Sequence, residues 1–205
     1  MTVYEPRDVT LRDGRVVTLR STRVEDAEAV IGYLDAMRRE SGGVLFSPRD
    51  DLPTLEFERG WIAGRRDSQD AVQLGVWDAS GLPIALAGVE RETARVRNSH
   101  RANLGISVRR AWWRAGVGRL LMRELVDFCE AHPTIEVMHL TVWHCNLQAI
   151  ALYESIGFRR GGLKHYSAKF EDGSYAHTLH MSRWVGDGPA PDVRERDPLV
   201  AEAAA

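Results

Sequence analysis

The sequence predicts an α/β domain built on a mixed, mostly antiparallel sheet with helices on both faces. Three observations support this fold class. The spacing of apolar residues switches between strand and helix periods along the chain. Glycine-containing turns join several of the predicted strands. Residues 102–142 show the pattern strand–helix–strand, which is typical of a right-handed parallel crossover when the two strands are neighbours.

The N-terminal half is predicted to contain a strand, two helices and two further strands. In chain order these are Arg15–Arg20, Val24–Arg39, Thr54–Arg66, Ala71–Trp77 and Pro83–Glu90. The first strand follows the turn at Asp13-Gly14. Thr22 with Glu25 three residues later fits a capping box for the first helix. The turn-rich segment Pro48–Pro53 connects the two helices.

The C-terminal half is predicted to alternate strands and helices before closing in an antiparallel pair. In chain order the elements are Ala102–Val108, Gly116–Ala131, Ile135–Val142, Asn146–Ile156, Phe158–Lys169 and Tyr175–Trp184. Asn146 is placed to cap its helix and Gly157 to end it. The last two strands turn at Asp172-Gly173. The predicted order is therefore β-α-α-β-β-β-α-β-α-β-β.

The length and composition indicate one domain and a tail. A chain of 205 residues has room for a single domain with a sizeable core, here residues 1–185 with its folded part at roughly Val9–Val185. Residues 186–205 contain three prolines, many charges and few large apolar side chains, as a flexible tail does. Two cysteines exclude a disulfide scaffold, and the seven histidines show no metal-ligand spacing, so we expect no metal.

The charge and hydropathy patterns restrict the partners. A net charge of −2 argues against general binding to nucleic acid. No apolar run approaches the roughly 18 residues of a membrane span, so we expect no membrane association. The charged first 20 residues lack the apolar segment of a signal peptide, and the expected location is the cytoplasm.

A glycine pair lies where the segment Ile106–Met122 passes from strand to helix. Gly116 and Gly118 let the backbone turn successive N–H groups toward one point, and the helix N-terminus adds its unpaired donors. Such an arrangement binds phosphate. Close packing at a helix start explains the same spacing equally well. No Lys-Ser/Thr pair follows Gly118, and Leu121 is too large for a dinucleotide fingerprint.

The charge around this loop favours the phosphate interpretation. Residues 93–123 contain eight arginines and no Asp or Glu. This local excess suits a ligand with several phosphates. A nucleic acid is the alternative, but neither a nucleic-acid-binding motif nor a basic tail accompanies the arginines.

Two separated patterns resemble a known family. They are V-x-x-x-x-W-R-A-G-V-G at Val108–Gly118 and N-x-x-A-x-x-x-Y-x-x-x-G-F at Asn146–Phe158. In this order, and with the predicted element order, they resemble the GNAT superfamily of acetyl-CoA-dependent N-acetyltransferases. The resemblance extends over roughly Val9–Val185 and is similar to bacterial members that acetylate small molecules or amino acids.

The resemblance implies acetyl-CoA as cosubstrate and assigns roles to individual residues. The amides of the loop would bind the pyrophosphate, the strand end would bind the pantetheine arm and the acetyl carbonyl, and Asn146 would contact the arm. The loop residues are Arg114, Ala115, Gly116, Val117, Gly118 and Arg119, and the strand residues are Ile106, Ser107 and Val108. Trp113 stands where the family usually has Gln or Arg, so a side-chain contribution there is in doubt.

Tyr153 matches the tyrosine that protonates the leaving thiolate in the family. A tyrosine with its ordinary pKa of about 10 is protonated at neutral pH and can donate to a basic thiolate. Tyr153 follows Asn146 by seven residues, which is about two helical turns, so both lie on one face. A core position for Tyr153 and simple capping by Asn146 explain the same spacing.

The general base has several candidates. Many family members place a Glu on the strand before the glycine loop, but the strand here, RANLGISV, has no carboxylate. Glu90 would lie opposite Asn103 if the strands pair across a turn near Val96–Arg97, and is the preferred replacement. His100, His144 and a chain of waters are the alternatives. Cys145 as a nucleophile is disfavoured because direct transfer needs no acyl-enzyme.

The predicted function is therefore the direct transfer of an acetyl group from acetyl-CoA to an amine in a ternary complex. The expected acceptor is a small molecule or an amino acid. A protein or peptide acceptor, and a catalytically silent CoA-binding module, are the alternatives. Acceptor specificity is expected to lie in residues 40–53 and the hairpin Lys164–Tyr175, with Trp61 lining the acceptor site. A homodimer is predicted by analogy alone.

Overall fold

The chain folds into an eight-stranded sheet covered by helices on both faces. The computed structural model describes residues 3–40 and 47–191. In chain order, the strands β1 to β8 are Arg7–Thr10, Val16–Ser21, Ala71–Trp77, Pro83–Arg91, Arg101–Val108, Val137–Trp143, Arg159–Lys169 and Tyr175–Trp184. The helices α1 to α4 are Ala27–Glu40, Leu55–Asp67, Val117–Glu130 and Leu147–Glu154.

The sheet has the strand order β1-β2-β3-β4-β5-β6-β8-β7. Every neighbouring pair is antiparallel except β5 and β6, which are parallel and are connected through α3. The predicted fold class is confirmed, and so is the expectation that the two crossover strands are neighbours. The predicted pairing of Glu90 with Asn103 is also observed.

The structure contains a strand, β1, that the predicted element order lacks. The predicted order was wrong at this point. β1 pairs with β2 around the predicted turn, where Gly14 has a φ of +85° and the Leu11 amide donates to the Arg15 carbonyl oxygen at 2.8 Å. Three of the four residues of β1 are exposed. An edge strand that buries so little apolar surface leaves no alternating pattern in the sequence.

The start of the first helix also differs from the prediction. A 3₁₀ turn, Val24–Asp26, precedes α1, and the Asp26 carboxylate accepts from the Arg23 amide at 2.7 Å. Thr22 is not the cap, because it is buried and its amide donates to the carbonyl oxygen of Gln73 on β3. Thr22 thus extends the pairing of the sheet beyond β2.

The two faces of the sheet bury different helices. One face packs against α3 through a large cluster that includes the fully buried Leu121 and Leu125. The other face packs against α1 and α2 through a smaller cluster that includes Tyr33, Ile62 and Leu86. Because strand residues alternate, the residues of β4 that face α1 and α2 are Leu86, Gly88 and Glu90. Their partners on β5 are Ser107, Gly105 and Asn103.

Two predicted segments lie partly outside the described residues. Residues 186–191 of the predicted tail form no helix or strand, and residues 192–205 lie outside the described residues. Residues 41–46 of the predicted specificity segment also lie outside them. No helix within residues 3–40 and 47–191 is both long and apolar enough to cross a bilayer.

Leu121 tests how strongly the larger cluster stabilises the fold. We expect Leu121→Ala to lower the free energy of unfolding by about 2–5 kcal/mol, because it removes a fully buried side chain and leaves a cavity. Leu82→Ala, at a side chain that is 57% exposed, should change it by less than about 0.5 kcal/mol. Urea denaturation of both variants measures this, and equal effects would contradict the assigned core.

Candidate active site

A cleft opens where β5 and β6 separate. The two strands pair only at Arg101–Asn103 with Val137–His139, yet β5 continues to Val108 and β6 to Trp143. A cavity of about 1620 Å³ occupies this gap. It extends to the loop before α3 in one direction and to α1 and α2 in the other.

The part of β5 that borders the gap has peptide groups without a strand partner. The amides of Arg109 and Glu92 bond to the carbonyl oxygens of Ile84 and Arg101, so the odd-numbered residues of β5 bond to β4. Leu104 and Ile106 therefore turn their N–H and C=O groups toward β6, which has already moved away. Both residues line the cleft. This edge can pair with an extended ligand that carries amides.

The three predicted strand residues differ in what they offer. Ile106 has both peptide groups directed at the gap. The Val108 carbonyl oxygen already accepts from the Trp113 indole at 2.7 Å. Ser107 bonds through its hydroxyl to Tyr33 at 2.9 Å, on the side of α1. Leu104, which sequence analysis does not single out, presents the same free edge as Ile106 and could have been found from the alternation of strand pairing.

The loop before α3 presents a run of unpaired amides. Arg114 and Gly116 have φ values of +62° and +99°, which turns the chain sharply before the helix begins at Val117. Among the described residues, no amide from 114 to 119 donates a hydrogen bond. With the partial positive charge of the helix N-terminus, these six donors are suited to binding an anion.

The arginines around this loop do not form one patch. Of the eight in residues 93–123, only Arg114 and Arg119 line the cleft. Arg101 and Arg109 are paired with Glu92 and Glu40, at 2.8 Å in each case. Arg12 does line the cleft, and its side chain passes 3.7 Å from the position that a Cβ on Gly116 would occupy. The count of arginines along the sequence therefore overstated the charge at the cleft.

Asn146 and Tyr153 both line the cleft, as their spacing on α4 predicts. The Asn146 side chain caps α4 by accepting from the Ala149 amide at 3.2 Å, which leaves its NH₂ group without a partner among the described residues. Tyr153 is only 7% exposed, and its hydroxyl has no hydrogen-bond partner among residues 3–40 and 47–191. Burial raises the pKa of Tyr153 to about 12.

Glu90 lies at the cleft but is already paired. The Arg65 guanidinium donates to its carboxylate at 2.6 Å, and the Glu90 side chain is 57% exposed. Neither His100 nor His144 lines the cleft. The His100 carbonyl oxygen accepts from β6 and the segment before it, and the His144 ring bonds to the backbone of the neighbouring strand β8. Cys145 is exposed and lies outside the cleft.

The chain matches the Acetyltransferase (GNAT) family over residues 34–158. It belongs to the GNAT family of acetyltransferases. The N-alpha-acetyltransferase RimI of Mycobacterium tuberculosis is 44% identical over 167 residues, 79% of this chain and 97% of that protein. The L-amino acid N-acetyltransferase AaaT of Escherichia coli is 36% identical over 90 residues, 43% of this chain. That match spans only about half of the relative, 54% of its length.

Solved GNAT structures share the fold. An acetyltransferase of the GNAT family from Streptococcus pneumoniae aligns with a TM-score of 0.77 at 22% identity, over 82% of this chain and 99% of that one. The putative acetyltransferase yncA from Salmonella typhimurium, described with its cofactor acetyl-CoA, aligns with a TM-score of 0.72 at 17% identity, over 87% of this chain and 99% of that one. A phosphinothricin acetyltransferase from Sinorhizobium meliloti in complex with AcCoA also has a TM-score of 0.72, at 20% identity, over 87% of this chain and 94% of that one.

One residue that lines the cleft of this GNAT protein, Glu58, was not predicted from the sequence. Glu58, on α2, is only 4% exposed and lines the cleft. Its carboxylate has no hydrogen bond or ion pair among the described residues, and burial raises its pKa above the ordinary value. The signal that could have found it is helical spacing, because Glu58 precedes Trp61 by three residues and Ile62 by four.

Trp61 also lines the cleft, and its place at the acceptor site stays a prediction. The Arg65 guanidinium lies 4.3 Å from its ring. No group of three or more His, Cys, Asp or Glu within the described residues is arranged to hold a metal ion.

The buried carboxylate should appear in the pH dependence of stability. A carboxyl whose pKa is raised by folding binds more protons in the native state, so its contribution to stability falls as pH rises above its ordinary pKa of about 4.5. We therefore expect Glu58→Gln to gain stability relative to the wild type as pH rises from 4 to 8. Urea denaturation across this range measures the difference. The exposed neighbour Glu56→Gln is the control, and a difference independent of pH for Glu58→Gln would contradict the assignment.

Proposed function

We propose that this chain transfers the acetyl group of acetyl-CoA directly to the amine of a small molecule or an amino acid, within a ternary complex. One observation carries the proposal. Six unpaired amides at the start of α3 and the free edge of β5 border the same cleft. A ligand that combines a pyrophosphate with an extended arm containing amides complements both features at once. Coenzyme A is such a ligand.

The proposed cosubstrate site combines the loop and the strand edge. The amides from Arg114 to Arg119 hold the pyrophosphate, and Arg12 adds positive charge beside them. Leu104 and Ile106 pair with the pantetheine arm as a further strand would, and Asn146 offers its free NH₂ group to the same arm. The acetyl-CoA present in the structures of yncA and of the phosphinothricin acetyltransferase supports this choice.

Tyr153 is the proposed general acid. The amine nitrogen attacks the thioester carbonyl carbon, the C–N bond forms, and the C–S bond breaks to release a thiolate. The Tyr153 hydroxyl, which is free of other partners among the described residues, donates a proton to that thiolate. Its raised pKa of about 12 keeps the hydroxyl protonated until the thiolate forms.

Glu90 is the general base that the sequence predicts. Its place on the cleft supports the role, because a carboxylate there can take the proton that the amine loses. Its ion pair with Arg65 weighs against the role, because the pair must open before Glu90 can bind an ammonium group.

A protein N-terminus is the second candidate acceptor. RimI, named as an N-alpha-acetyltransferase, is matched over 97% of its length, whereas AaaT, named as an L-amino acid N-acetyltransferase, is matched over 54%. Homodimerisation and a cytoplasmic location stay predictions.

The release of free thiol in the presence of acetyl-CoA tests the function. The acceptors to compare are the proteinogenic amino acids, polyamines, aminoglycosides and short peptides, with a control lacking any acceptor. Turnover of amino acids or other small amines supports the proposal, and turnover confined to peptides favours the second candidate. If the protein binds acetyl-CoA in a titration but acetylates none of these acceptors, it is a binding module and the enzymatic proposal is overturned.

Gly118 tests the phosphate site. A Cβ on Gly118 would lie 3.0 Å from Leu152 Cδ2, the end of a flexible side chain, so the fold should tolerate substitution. We expect Gly118→Asp to weaken acetyl-CoA binding by about 100-fold or more, because it adds a negative charge beside the pyrophosphate. Gly118→Asn has the same size without the charge and should bind far more tightly than Gly118→Asp. Calorimetric titration measures both. Wild-type affinity in folded Gly118→Asp would refute the loop assignment.

Tyr153→Phe tests the proposed acid. We expect kcat to fall by about 100-fold, within the usual range for a positioned acid, while the Kd for acetyl-CoA stays nearly unchanged. Tyr175→Phe is the matched control, since this ring is 53% exposed and does not line the cleft. Steady-state kinetics and calorimetry together give both constants. An unchanged kcat would show that another group protonates the thiolate.

A further inference from the structure

A hollow lies over a pair of glycines on the sheet face that α1 and α2 cover. Gly88 and Gly105 are opposite each other on β4 and β5. A Cβ built on Gly105 meets nothing within 4 Å, whereas one on Gly88 would collide with the side-chain amide of Gln73. The floor of the hollow is therefore backbone together with this amide.

This hollow adjoins the free edge of β5. Gly105 lies between Leu104 and Ile106, whose peptide groups face the gap where the extended arm is proposed to bind. All three residues line the same continuous cleft as the α3 loop. A molecule in the hollow would thus approach the acyl end of that arm from the side of α2.

Glu58 lies on α2, one of the two helices that cover this sheet face, and borders the same cleft as the hollow. Glu58 is only 4% exposed, and no described residue bonds to its carboxylate. Burying an unpaired carboxylate is unfavourable, and such groups usually have a partner of opposite charge. Glu58 lies on one face of α2 with Trp61 and Arg65, and all three line the cleft.

Most of the other charged groups at this end of the cleft have partners, and the exposed Asp51 is the exception among the described residues. Arg65 is bound to Glu90, and Arg91 on β4 is bound to Asp70. Glu92, which follows β4, is bound to Arg101 of β5. Asp51, before α2, also lines the cleft, whereas the lining residues of α1 and β3 carry no charge: Val30, Leu34, Met37 and Gln73. The raised pKa of Glu58 has burial as its cause, with no contribution from these charges.

We propose that Glu58 binds the ammonium group of the acceptor in this hollow and accepts its proton, with the stem of the acceptor lying along Trp61 above Gly105. The assignment rests on the proposed acetyl transfer and gives the base role to Glu58 rather than to the paired Glu90. The ammonium group supplies the positive partner that the carboxylate lacks. One proton passes from nitrogen to Glu58, and the nitrogen lone pair then attacks the acetyl carbonyl carbon.

The other protons of the transfer step can also be accounted for. The C–N bond forms and the C–S bond breaks, and the thiolate takes a proton from Tyr153. Nitrogen loses its second proton as the amide forms, and that proton restores Tyr153 through solvent. Glu58 releases its own proton to solvent when the acetylated product leaves. The net reaction of an ammonium group with the thioester therefore releases one proton.

The kinetic test compares Glu58→Gln, Glu90→Gln and the exposed control Glu56→Gln, using the acceptor that the wild type acetylates fastest. For Glu58→Gln we expect kcat/KM to fall by about 100-fold or more, with the Kd for acetyl-CoA and the Tm not lowered. Its log kcat/KM should keep rising with pH up to the pKa of the free amine, because the amine must then lose its proton unaided. Glu90→Gln should lose less, and Glu56→Gln should match the wild type.

Two results would overturn the assignment. One is a wild-type kcat/KM and pH profile for Glu58→Gln. The other is a loss of activity accompanied by an equal loss of acetyl-CoA affinity or a lowered Tm, which would indicate a structural role.

A binding test separates this inference from the proposed function. With the protein saturated by coenzyme A, n-butylamine at pH 7 is the probe, and the change in Tm is the readout. We expect the amine to raise the Tm of the wild type and of Glu56→Gln but not that of Glu58→Gln. No rise in a wild type that binds coenzyme A would overturn Glu58 as the ammonium site. A rise without turnover of any acceptor would instead overturn acetyl transfer and leave the binding site standing.

Discussion

The separation of β5 from β6 after three residue pairs is the constraint on which the rest of the site depends. Each strand remains bonded to its outer neighbour along its whole length, β5 to β4 and β6 to β8. The sheet therefore divides into two halves that are joined only at one end. The peptide groups exposed between them cannot be satisfied within the fold, and an unpaired strand edge favours the addition of another extended chain. Backbone geometry alone thus prepares the cleft for an amide-containing ligand.

The loop before α3 likewise offers main-chain groups that have no partner among the described residues, here at the start of a helix. Its donors are main-chain amides, and hydrogen bonds to the rest of the fold hold it in position. The Trp113 indole bonds to the Val108 carbonyl oxygen, and the Arg12 amide bonds to the Ala115 carbonyl oxygen at 3.3 Å. An anion-binding site made of backbone depends little on side-chain identity. Trp113 can therefore replace the Gln or Arg that is usual in the family and still hold the loop against the end of β5.

Ion pairs formed by the fold, rather than positions in the sequence, determine which charges remain uncompensated. Two of the arginines that precede the loop are held by carboxylates, Arg101 by Glu92 and Arg109 by Glu40. The pair between Arg65 and Glu90 likewise joins α2 to β4 at the border of the cleft. Against this background Glu58 stands apart, since it is more deeply buried than Glu90 and has no partner among the described residues. A group whose charge the fold leaves uncompensated is suited to a ligand of opposite charge.

The sequence by itself determined the element types apart from β1 and the 3₁₀ turn before α1. It also determined the crossover through α3, the glycine loop and the helix that carries Asn146 and Tyr153. These follow from local periodicity and from turn and capping residues, which act within a few positions of one another. The pairing of Glu90 with Asn103 was also accessible, because a short connection fixes the register of neighbouring antiparallel strands. The tertiary structure alone decided where β5 and β6 part, which arginines are neutralised, and that Glu58 is buried without a partner in the part of the chain that the structure describes. Each of these depends on segments far apart in the chain, whose contacts no local pattern records.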